Sequence, residues 1–211
     1  MSVLRGKHRF RLADGREAAV RTAAPGDSAA LLRLVDEVAA EPQVPILRLP
    51  GTASEREVRN RITQAAAMGG DLFLVAVVGS EVVGSVQLHR DEHPRSQHVV
   101  DLGISVLRQY RSLGVGTALL ETALAWAADE GFLKVTLGVF PHNEGAIRFY
   151  ERHGFVREGL RRRQFVRERR ELDQVLMARF LDEMPPVGRQ TEQASGSVVG
   201  RDGRQGVGGE S

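Results

Sequence analysis

The sequence of 211 residues contains no cysteine, which excludes disulfide bonds, thiolate metal sites and a cysteine nucleophile. This composition fits a reducing compartment, so we expect a cytoplasmic protein. No apolar run is long enough to span a bilayer, and the first dozen residues are too charged for the core of a signal peptide. The net charge of +2 gives no electrostatic case for nucleic acid. We therefore expect neither a membrane nor a nucleic-acid partner.

The pattern of apolar residues predicts one domain over residues 16–183. Residues 1–15 are polar and without a clear period, and we expect a loose N-terminal extension there. Residues 184–211 contain mainly small, polar and charged residues, which predicts a disordered tail. Between them the predicted order of elements is β-α-α-β-β-β-α-β-α-β-β. This order indicates an α/β (α+β) fold in which helices cover both faces of a mixed sheet.

Several helix boundaries carry recognisable capping signals. Asp27 or Ser28 is placed to cap the first helix, whose apolar residues recur at helical spacing. Ser54 with Glu57 three residues later forms a capping box that opens a second helix, ending near Met68. The predicted strands cover residues 17–22, 72–78, 82–89, 99–106, 134–140, 155–163 and 170–179, and the later helices cover 114–129 and 143–153.

A basic residue and two glycines lie between a predicted strand and an apolar helix, in the pattern Arg111-x-x-Gly114-x-Gly116. The first turn of a helix has unpaired N–H groups and a positive dipole end, and glycines let a phosphate approach the backbone. Arg108 and Arg111 add positive charge. The pattern indicates a pyrophosphate site, and the alternative is a tight turn with a solvated arginine. Leu119 replaces the third glycine of a dinucleotide-binding loop, and no P-loop lysine follows.

The second motif is Asn143-x-x-Ala146-x-x-x-Tyr150-x-x-x-Gly154-Phe155. Asn143 is placed to cap a short helix, and Tyr150 follows two turns along the same face. Gly154 and Phe155 are expected to have structural roles. Tyr150 is either a half-buried aromatic with its hydroxyl in water or a group that acts on a ligand.

Together, and in this order, the two motifs resemble those of the GNAT superfamily of acetyl-CoA-dependent N-acetyltransferases. The resemblance is most specific over residues 98–181, and within the superfamily that segment resembles a bacterial branch of small-molecule acetyltransferases. It implies a mostly antiparallel sheet of six to seven strands, acetyl-CoA as co-substrate without a metal, and direct attack by an amine. It also allows a homodimer. One departure is Gly145, which stands where the family often has arginine.

The resemblance implies particular roles for named residues. Backbone N–H groups of the 111–116 loop would hold the pyrophosphate, and the strand ending at Val106 would pair with the pantetheine arm. Separation of this strand from the 134–140 strand would form the slot. Tyr150 would protonate the departing thiolate. The expected acetyl-CoA-binding residues are Ile104, Val106, Arg111, Ser112, Leu113, Gly114, Val115, Gly116, Thr117, Asn143, Ala146 and Tyr150.

The proton of the attacking amine needs an acceptor, because alkyl amines are largely protonated at neutral pH. Asp101 is our candidate base, since it lies on the polar face of its strand and near the expected thioester. The superfamily often has a glutamate near this point, so the shorter aspartate predicts a bridging water. The alternative is a solvated carboxylate. His98, Glu92 and His142 are weaker candidates.

An arginine cluster flanks the last predicted hairpin. It is compatible with an acidic substrate or an outer phosphate of the cofactor, with nucleic acid, or with a solvated hairpin tip interleaved with Glu168 and Glu171. No aromatic stacking pattern accompanies the charges, which disfavours nucleic acid. The cluster comprises Arg161, Arg162, Arg163, Arg167, Arg169 and Arg170.

The predicted activity is transfer of an acetyl group from acetyl-CoA to a primary amine of a small or amino-acid-like molecule. One alternative is protein N-terminal or lysine acetylation. Another is a non-catalytic acyl-CoA-binding sensor, which would keep the first motif but would not need Tyr150. The acceptor would be selected by the loops at 41–53 and 91–97 and by the last hairpin, where no residue pattern is diagnostic.

Overall fold

One mixed sheet forms the framework of the fold. The structure, a computed structural model, describes residues 6–41, 53–68, 70–167 and 169–181. The strands are β1 (His8–Arg11), β2 (Glu17–Thr22), β3 (Leu72–Val78), β4 (Glu81–Arg90), β5 (Val99–Val106), β6 (Lys134–Val139), β7 (Val156–Arg167) and β8 (Arg170–Phe180). Their order in the sheet is β1-β2-β3-β4-β5-β6-β8-β7, and β5–β6 is the one parallel pair among these strands.

Four α-helices lie within the described ranges and flank the sheet: α1 (Ser28–Ala39), α2 (Glu55–Met68), α3 (Val115–Asp129) and α4 (Glu144–Arg152). None of the helices in the described ranges is long and apolar enough to cross a membrane. The predicted tail at 184–211, and residues 42–52 of the loop expected to border the acceptor, lie outside the described residues.

The predicted fold class is confirmed, but the number of strands is wrong because the sheet has eight. The additional strand is β1, which lies inside the segment 1–15 that we expected to be a loose extension. Its residues His8–Arg11 pair antiparallel with Glu17–Val20 of β2. Side chains on this edge strand are exposed except for the half-buried Phe10. An edge strand that buries so little has no alternating apolar pattern to reveal it.

Helices cover both faces of the sheet, as predicted. On one face, a Cβ atom at Gly84 of β4 would lie 3.0 Å from Leu119 Cδ1 and 3.1 Å from Val115 Cγ1, so glycine allows α3 to pack closely there. On the other face, Phe73 of β3 borders a small cavity together with Leu31 of α1 and Val58 of α2.

The capping predictions have different outcomes at the two helices. At α2 the capping box is confirmed, because Ser54 N donates to Glu57 Oε2 at 2.7 Å and Glu57 N donates to Ser54 Oγ at 3.3 Å. At α1 the helix begins at Ser28, but the Asp27 side chain does not cap it. That carboxylate instead accepts two hydrogen bonds from Arg21, at 2.6 and 2.8 Å, and one from Ala24 N.

Candidate active site

The centre of the candidate site is the gap between the two parallel strands. β5 and β6 pair only over Val99–Asp101 and Lys134–Thr136, and they then continue to Val106 and Val139 without pairing to each other. Each keeps its outer neighbour along this part, since β4 pairs with β5 and β8 pairs with β6. The two strands therefore diverge towards their carboxyl ends and form the slot that the resemblance implied.

The two sequence motifs meet at the carboxyl ends of these strands. Parallel strands have their carboxyl ends at the same edge of a sheet, so α3, which follows β5, and α4, which follows β6, both begin there. A Cβ atom at Gly116 would lie 3.5 Å from Phe149 Cζ, so the first turn of α3 lies against α4. The phosphate-type loop and the Tyr150 helix are thus parts of one site.

The loop before α3 presents a run of unpaired backbone amides. Ser112 and Gly114 adopt left-handed backbone angles, with φ of +60° and +96°. Within the described residues, no acceptor takes a hydrogen bond from the backbone N–H groups of residues 112–117. Alternation of left- and right-handed angles at a helix start makes an anion-binding concavity, which the helix dipole reinforces. This geometry suits the oxygens of a pyrophosphate.

The Arg111 side chain holds the loop in place and is already paired. Its Nε donates to Val106 O at 3.0 Å, and its two terminal nitrogens donate to the Glu41 carboxylate at 2.8 and 2.6 Å. On the other side, Ala13 N of the β1–β2 turn donates to Leu113 O at 3.2 Å. In this structure Glu41 balances the positive charge that Arg111 was expected to add for a phosphate.

The left-handed angle at Gly114 makes this position sensitive to substitution. We expect Gly114→Ala to weaken acetyl-CoA binding about fivefold or more, since a side chain at such angles costs roughly 1–2 kcal/mol and shifts the amides. The matched control is Gly131→Ala, which has a similar φ of +80° at the far end of α3. Both variants should melt earlier, but calorimetric titration should find acetyl-CoA affinity lowered only in Gly114→Ala. Equal affinities in the two variants would contradict the assignment of the loop.

Helix α4 is capped by the residue that the sequence indicated. Asn143 Oδ1 accepts a hydrogen bond from Ala146 N at 3.2 Å, which leaves the Asn143 amide nitrogen for a ligand. Tyr150 lies on the buried face of α4 with 8% of its surface exposed. Its ring packs against Phe149 and Phe155, at centroid distances of 5.4 and 5.5 Å. These contacts fix the direction of the phenol.

The environment of Tyr150 disfavours the loss of its phenolic proton. Burial raises the pKa of Tyr150 well above its ordinary value, and the negative charge of Asp101 raises it further. The two candidate catalytic groups are therefore close enough to interact electrostatically. A neutral phenol beside a carboxylate can donate a hydrogen bond to a second anion, such as a departing thiolate.

Asp101 belongs to a polar row that crosses three strands where β5 and β6 begin to diverge. It is in register with His89 of β4 on one side and with Thr136 of β6 on the other. Thr136 Oγ1 donates to Asp101 Oδ1 at 3.2 Å. Two contacts hold the His89 ring in place. Its Nδ1 lies 3.2 Å from Asp71 Oδ2, and its Nε2 lies 3.3 Å from Gln87 Oε1.

The Asp101 carboxylate is accessible to solvent, yet it is surrounded by enough protein for its pKa to change. Burial raises the pKa of Asp101 above its ordinary value, while the Thr136 hydrogen bond, the charge of Arg161 and, when its ring is protonated, the charge of His89 oppose that rise. A raised pKa makes the carboxylate a stronger proton acceptor than an ordinary aspartate, as a general base requires.

The weaker base candidates lie away from this row. His98 and Glu92 are exposed in the connection before β5. His142 is also exposed and stacks on Phe140 at a centroid distance of 5.7 Å. Sequence reasoning missed His89 and Thr136, because their placement beside Asp101 depends on strand register. The available signal was alternation, because His89 continues the polar positions Ser85 and Gln87 of β4, and Thr136 lies between Val135 and Leu137 of β6.

The arginine cluster divides between the two faces of the last hairpin. Arg163 is used within the hairpin, where its N–H donates to Asp173 Oδ1 at 2.7 Å and its guanidinium pairs with Glu171. Arg161 differs, because its positive charge acts on Asp101 across the sheet face. The cluster is therefore mainly part of an exposed hairpin, and Arg161 is the member directed to the candidate site.

Comparison with known proteins agrees with this geometry. Residues 36–155 match the model of the acetyltransferase (GNAT) family. A 109-residue segment is 33% identical to the L-amino acid N-acetyltransferase AaaT of Escherichia coli (strain K12), covering 50% of this chain and 66% of that protein. A 92-residue segment is 34% identical to N-acetyltransferase 8 of Rattus norvegicus, covering 43% and 41%. The chain thus spans less than two thirds of the length of these curated relatives.

Solved structures share the fold over more than three quarters of this chain. An acetyltransferase of the GNAT family from Streptococcus pneumoniae superposes with a TM-score of 0.72 at 28% identity, covering 77% of this chain and 99% of that one. A GNAT superfamily phosphinothricin acetyltransferase from Sinorhizobium meliloti, solved in complex with AcCoA, superposes with a TM-score of 0.71 at 22% identity, covering 79% and 89%. At that lower identity the second likeness concerns the fold alone.

Proposed function

The chain belongs to the acetyltransferase (GNAT) family, and from this premise we propose that it transfers an acetyl group from acetyl-CoA to the primary amine of a small, amino-acid-like molecule. The observation that carries the proposal is the arrangement around the diverging strands. Unpaired amides lie at the start of α3, and Asp101 lies where β5 and β6 begin to diverge, within electrostatic reach of Tyr150. The similarity to the L-amino acid N-acetyltransferase of Escherichia coli supports the amino-acid-like acceptor.

The residues of the slot fit acetyl-CoA by their chemistry. We assign the amides of residues 112–117 to the pyrophosphate, since they are donors at a helix start without acceptors of their own. The free edge of β5 at Ile104 and Val106 suits the amide groups of the pantetheine arm. Asn143, through its side-chain nitrogen, and Ala146 would border that arm from α4. Arg111 acts by holding the loop through Glu41.

The proposed chemistry is direct transfer. The acceptor arrives as an ammonium and gives one proton to Asp101, directly or through one water, a role that the raised pKa of Asp101 suits. The neutral nitrogen then forms a bond to the acetyl carbonyl carbon, the carbon–sulfur bond breaks, and the second proton leaves the nitrogen for solvent as the thiolate departs. Holding both reactants in one slot contributes most of the rate advantage.

Tyr150 assists the departing sulfur as a hydrogen-bond donor. A thiol has an ordinary pKa of about 8.5, whereas the pKa of the Tyr150 phenol is raised above its ordinary value of about 10. Complete proton transfer from this phenol to a thiolate is therefore uphill. A charge-assisted hydrogen bond to the developing thiolate is the first contribution expected of Tyr150, and net protonation follows as the site opens to water.

Thiol release from acetyl-CoA, measured across a panel of acceptors, tests the proposed function. The panel should include free amino acids, simple alkyl amines, and peptides with a free N-terminus or a lysine. We expect release with free amino acids to exceed release with the peptides. Preference for peptides would indicate the protein acetyltransferase alternative. Tight acetyl-CoA binding without release for any amine would overturn the enzymatic proposal in favour of a sensor.

A further inference from the structure

Gln174 of β8 is a buried polar side chain with an unused acceptor. Only 5% of its surface is exposed. Among the described residues, Gln174 Oε1 is the one buried side-chain nitrogen or oxygen that has no hydrogen-bond partner. Buried polar atoms are nearly always paired, so an exception calls for a reason. A carbonyl oxygen in this position is complementary to an N–H or ammonium donor that binds there.

A glycine on the neighbouring strand leaves the space that the Gln174 side chain occupies. A Cβ atom at Gly138 of β6 would lie 1.8 Å from Gln174 Nε2 and 2.6 Å from its Cδ. The amide of Gln174 therefore lies directly across the backbone of β6. Gly138 belongs to the part of β6 that has separated from β5, so Gln174 covers the β6 border of the slot.

Strand register puts Gln174 on the same face as the proposed base. Thr136, the partner of Asp101, and Gly138 are two residues apart on β6 and therefore share a face. Arg161 of β7 is in register with Gln174. The charge of Arg161 acts on Asp101, which agrees with this placement. Within the described residues, the Arg161 guanidinium takes part in no hydrogen bond or ion pair.

We propose that Gln174 and Arg161 form the subsite that recognises the acceptor. Gln174 Oε1 accepts a hydrogen bond from an N–H group of the acceptor, and Arg161 binds an anionic group of the same molecule. Asp101 then receives the proton of the attacking amine. The inference rests on the proposed acetyltransferase function and narrows the acceptor to amines that also carry a carboxylate.

The N–H group that binds Gln174 Oε1 could belong to the acceptor or to the amide groups of acetyl-CoA. Measuring KM separately for the acceptor and for acetyl-CoA distinguishes these two sources. Gln174→Met removes the acceptor atom at similar length. We expect it to raise KM for a carboxylate-bearing acceptor about tenfold, with KM for acetyl-CoA unchanged. Gln164→Met, at an exposed position of the same hairpin, is the matched control and should leave both constants unchanged. Gly138→Ala displaces the Gln174 amide and should reproduce the Gln174→Met pattern.

The role of Arg161 is tested by comparing its substitution with the same substitution at Arg162. Arg161→Gln should reduce the preference for an amino acid over its carboxamide about tenfold, because the carboxylate loses its charged partner. Arg162→Gln removes the same charge from the adjacent exposed position of β7. It should leave the preference unchanged.

The outcomes separate this subsite from the proposed function. A rise in KM for acetyl-CoA instead of the acceptor would overturn the subsite, and so would unchanged constants in Gln174→Met. Calorimetric titration of acceptor into the protein saturated with CoA gives a readout without turnover. If no amine releases thiol but an amino acid still binds in a Gln174-dependent manner, the transferase proposal fails and the subsite stands. If neither turnover nor binding depends on Gln174, the subsite fails.

Discussion

Replacing Tyr150 by phenylalanine is expected to reduce turnover about 100-fold or more while acetyl-CoA affinity stays unchanged. The ring contacts with Phe149 and Phe155 survive this change, so the site keeps its shape. The change removes the phenolic hydroxyl, whose pKa is raised by burial and by the charge of Asp101. The departing thiolate then leaves without a hydrogen bond from this residue. Steady-state thiol release and calorimetric titration with acetyl-CoA measure the two effects separately.

The chain supplies a matched control, because it contains two tyrosines. The hydroxyl of Tyr110 donates to Glu81 Oε2 at 2.7 Å and has no proposed catalytic role. Tyr110→Phe should lower the free energy of unfolding by about 1 kcal/mol and leave turnover close to wild type. Full turnover in Tyr150→Phe would remove Tyr150 from the mechanism, and so would equal losses in both variants.

Replacing Asp101 by asparagine is expected to reduce turnover about 100-fold near pH 7 and to change the pH profile. Asp101 acts in its deprotonated form, and its raised pKa means that this form appears at higher pH than in an ordinary aspartate. Wild-type activity should therefore fall as the pH decreases through that raised pKa. Asparagine abolishes this titration, and activity then follows the fraction of acceptor that is already unprotonated.

The activity lost in Asp101→Asn should also vary with pH. The unprotonated fraction of the acceptor increases steadily as the pH rises towards the pKa of its own amine. The ratio of wild-type to Asp101→Asn activity should shrink as the pH approaches that value. A complete profile of kcat/KM for both proteins is the measurement. A constant ratio with an unchanged acid limb would reject Asp101 as the base.

Much of the fold follows from local sequence signals. The bounds of β2, β3 and β5 agree with the predicted ones, because apolar residues bounded by turn signals define buried strands. The Ser54 and Glu57 capping box formed as predicted, since its partners are three residues apart. β1 was missed because it buries too little apolar surface to produce a pattern.

The parts of the site that sequence reasoning missed depend on contacts between distant residues. Arg111 is paired with Glu41, which is 70 residues away, so its charge is balanced by a partner that no local pattern reveals. The row through His89, Asp101 and Thr136 exists only in the register of three strands. The proposed contact of Gln174 with the acceptor depends on its amide lying across Gly138 on a neighbouring strand. The residues proposed to bind acetyl-CoA could be predicted from sequence motifs. The residues proposed to bind the amine acceptor come together only through the pairing of the strands.

The proposed pyrophosphate site is tested by an NMR titration of the ¹⁵N-labelled protein with acetyl-CoA that follows the backbone amides of residues 112–117. These N–H groups have no acceptor within the described residues. If they hold the pyrophosphate, their resonances should shift strongly downfield on binding, and their exchange with solvent should slow. Binding that left these amides unchanged and perturbed other parts of the molecule would contradict the assignment of the slot between β5 and β6.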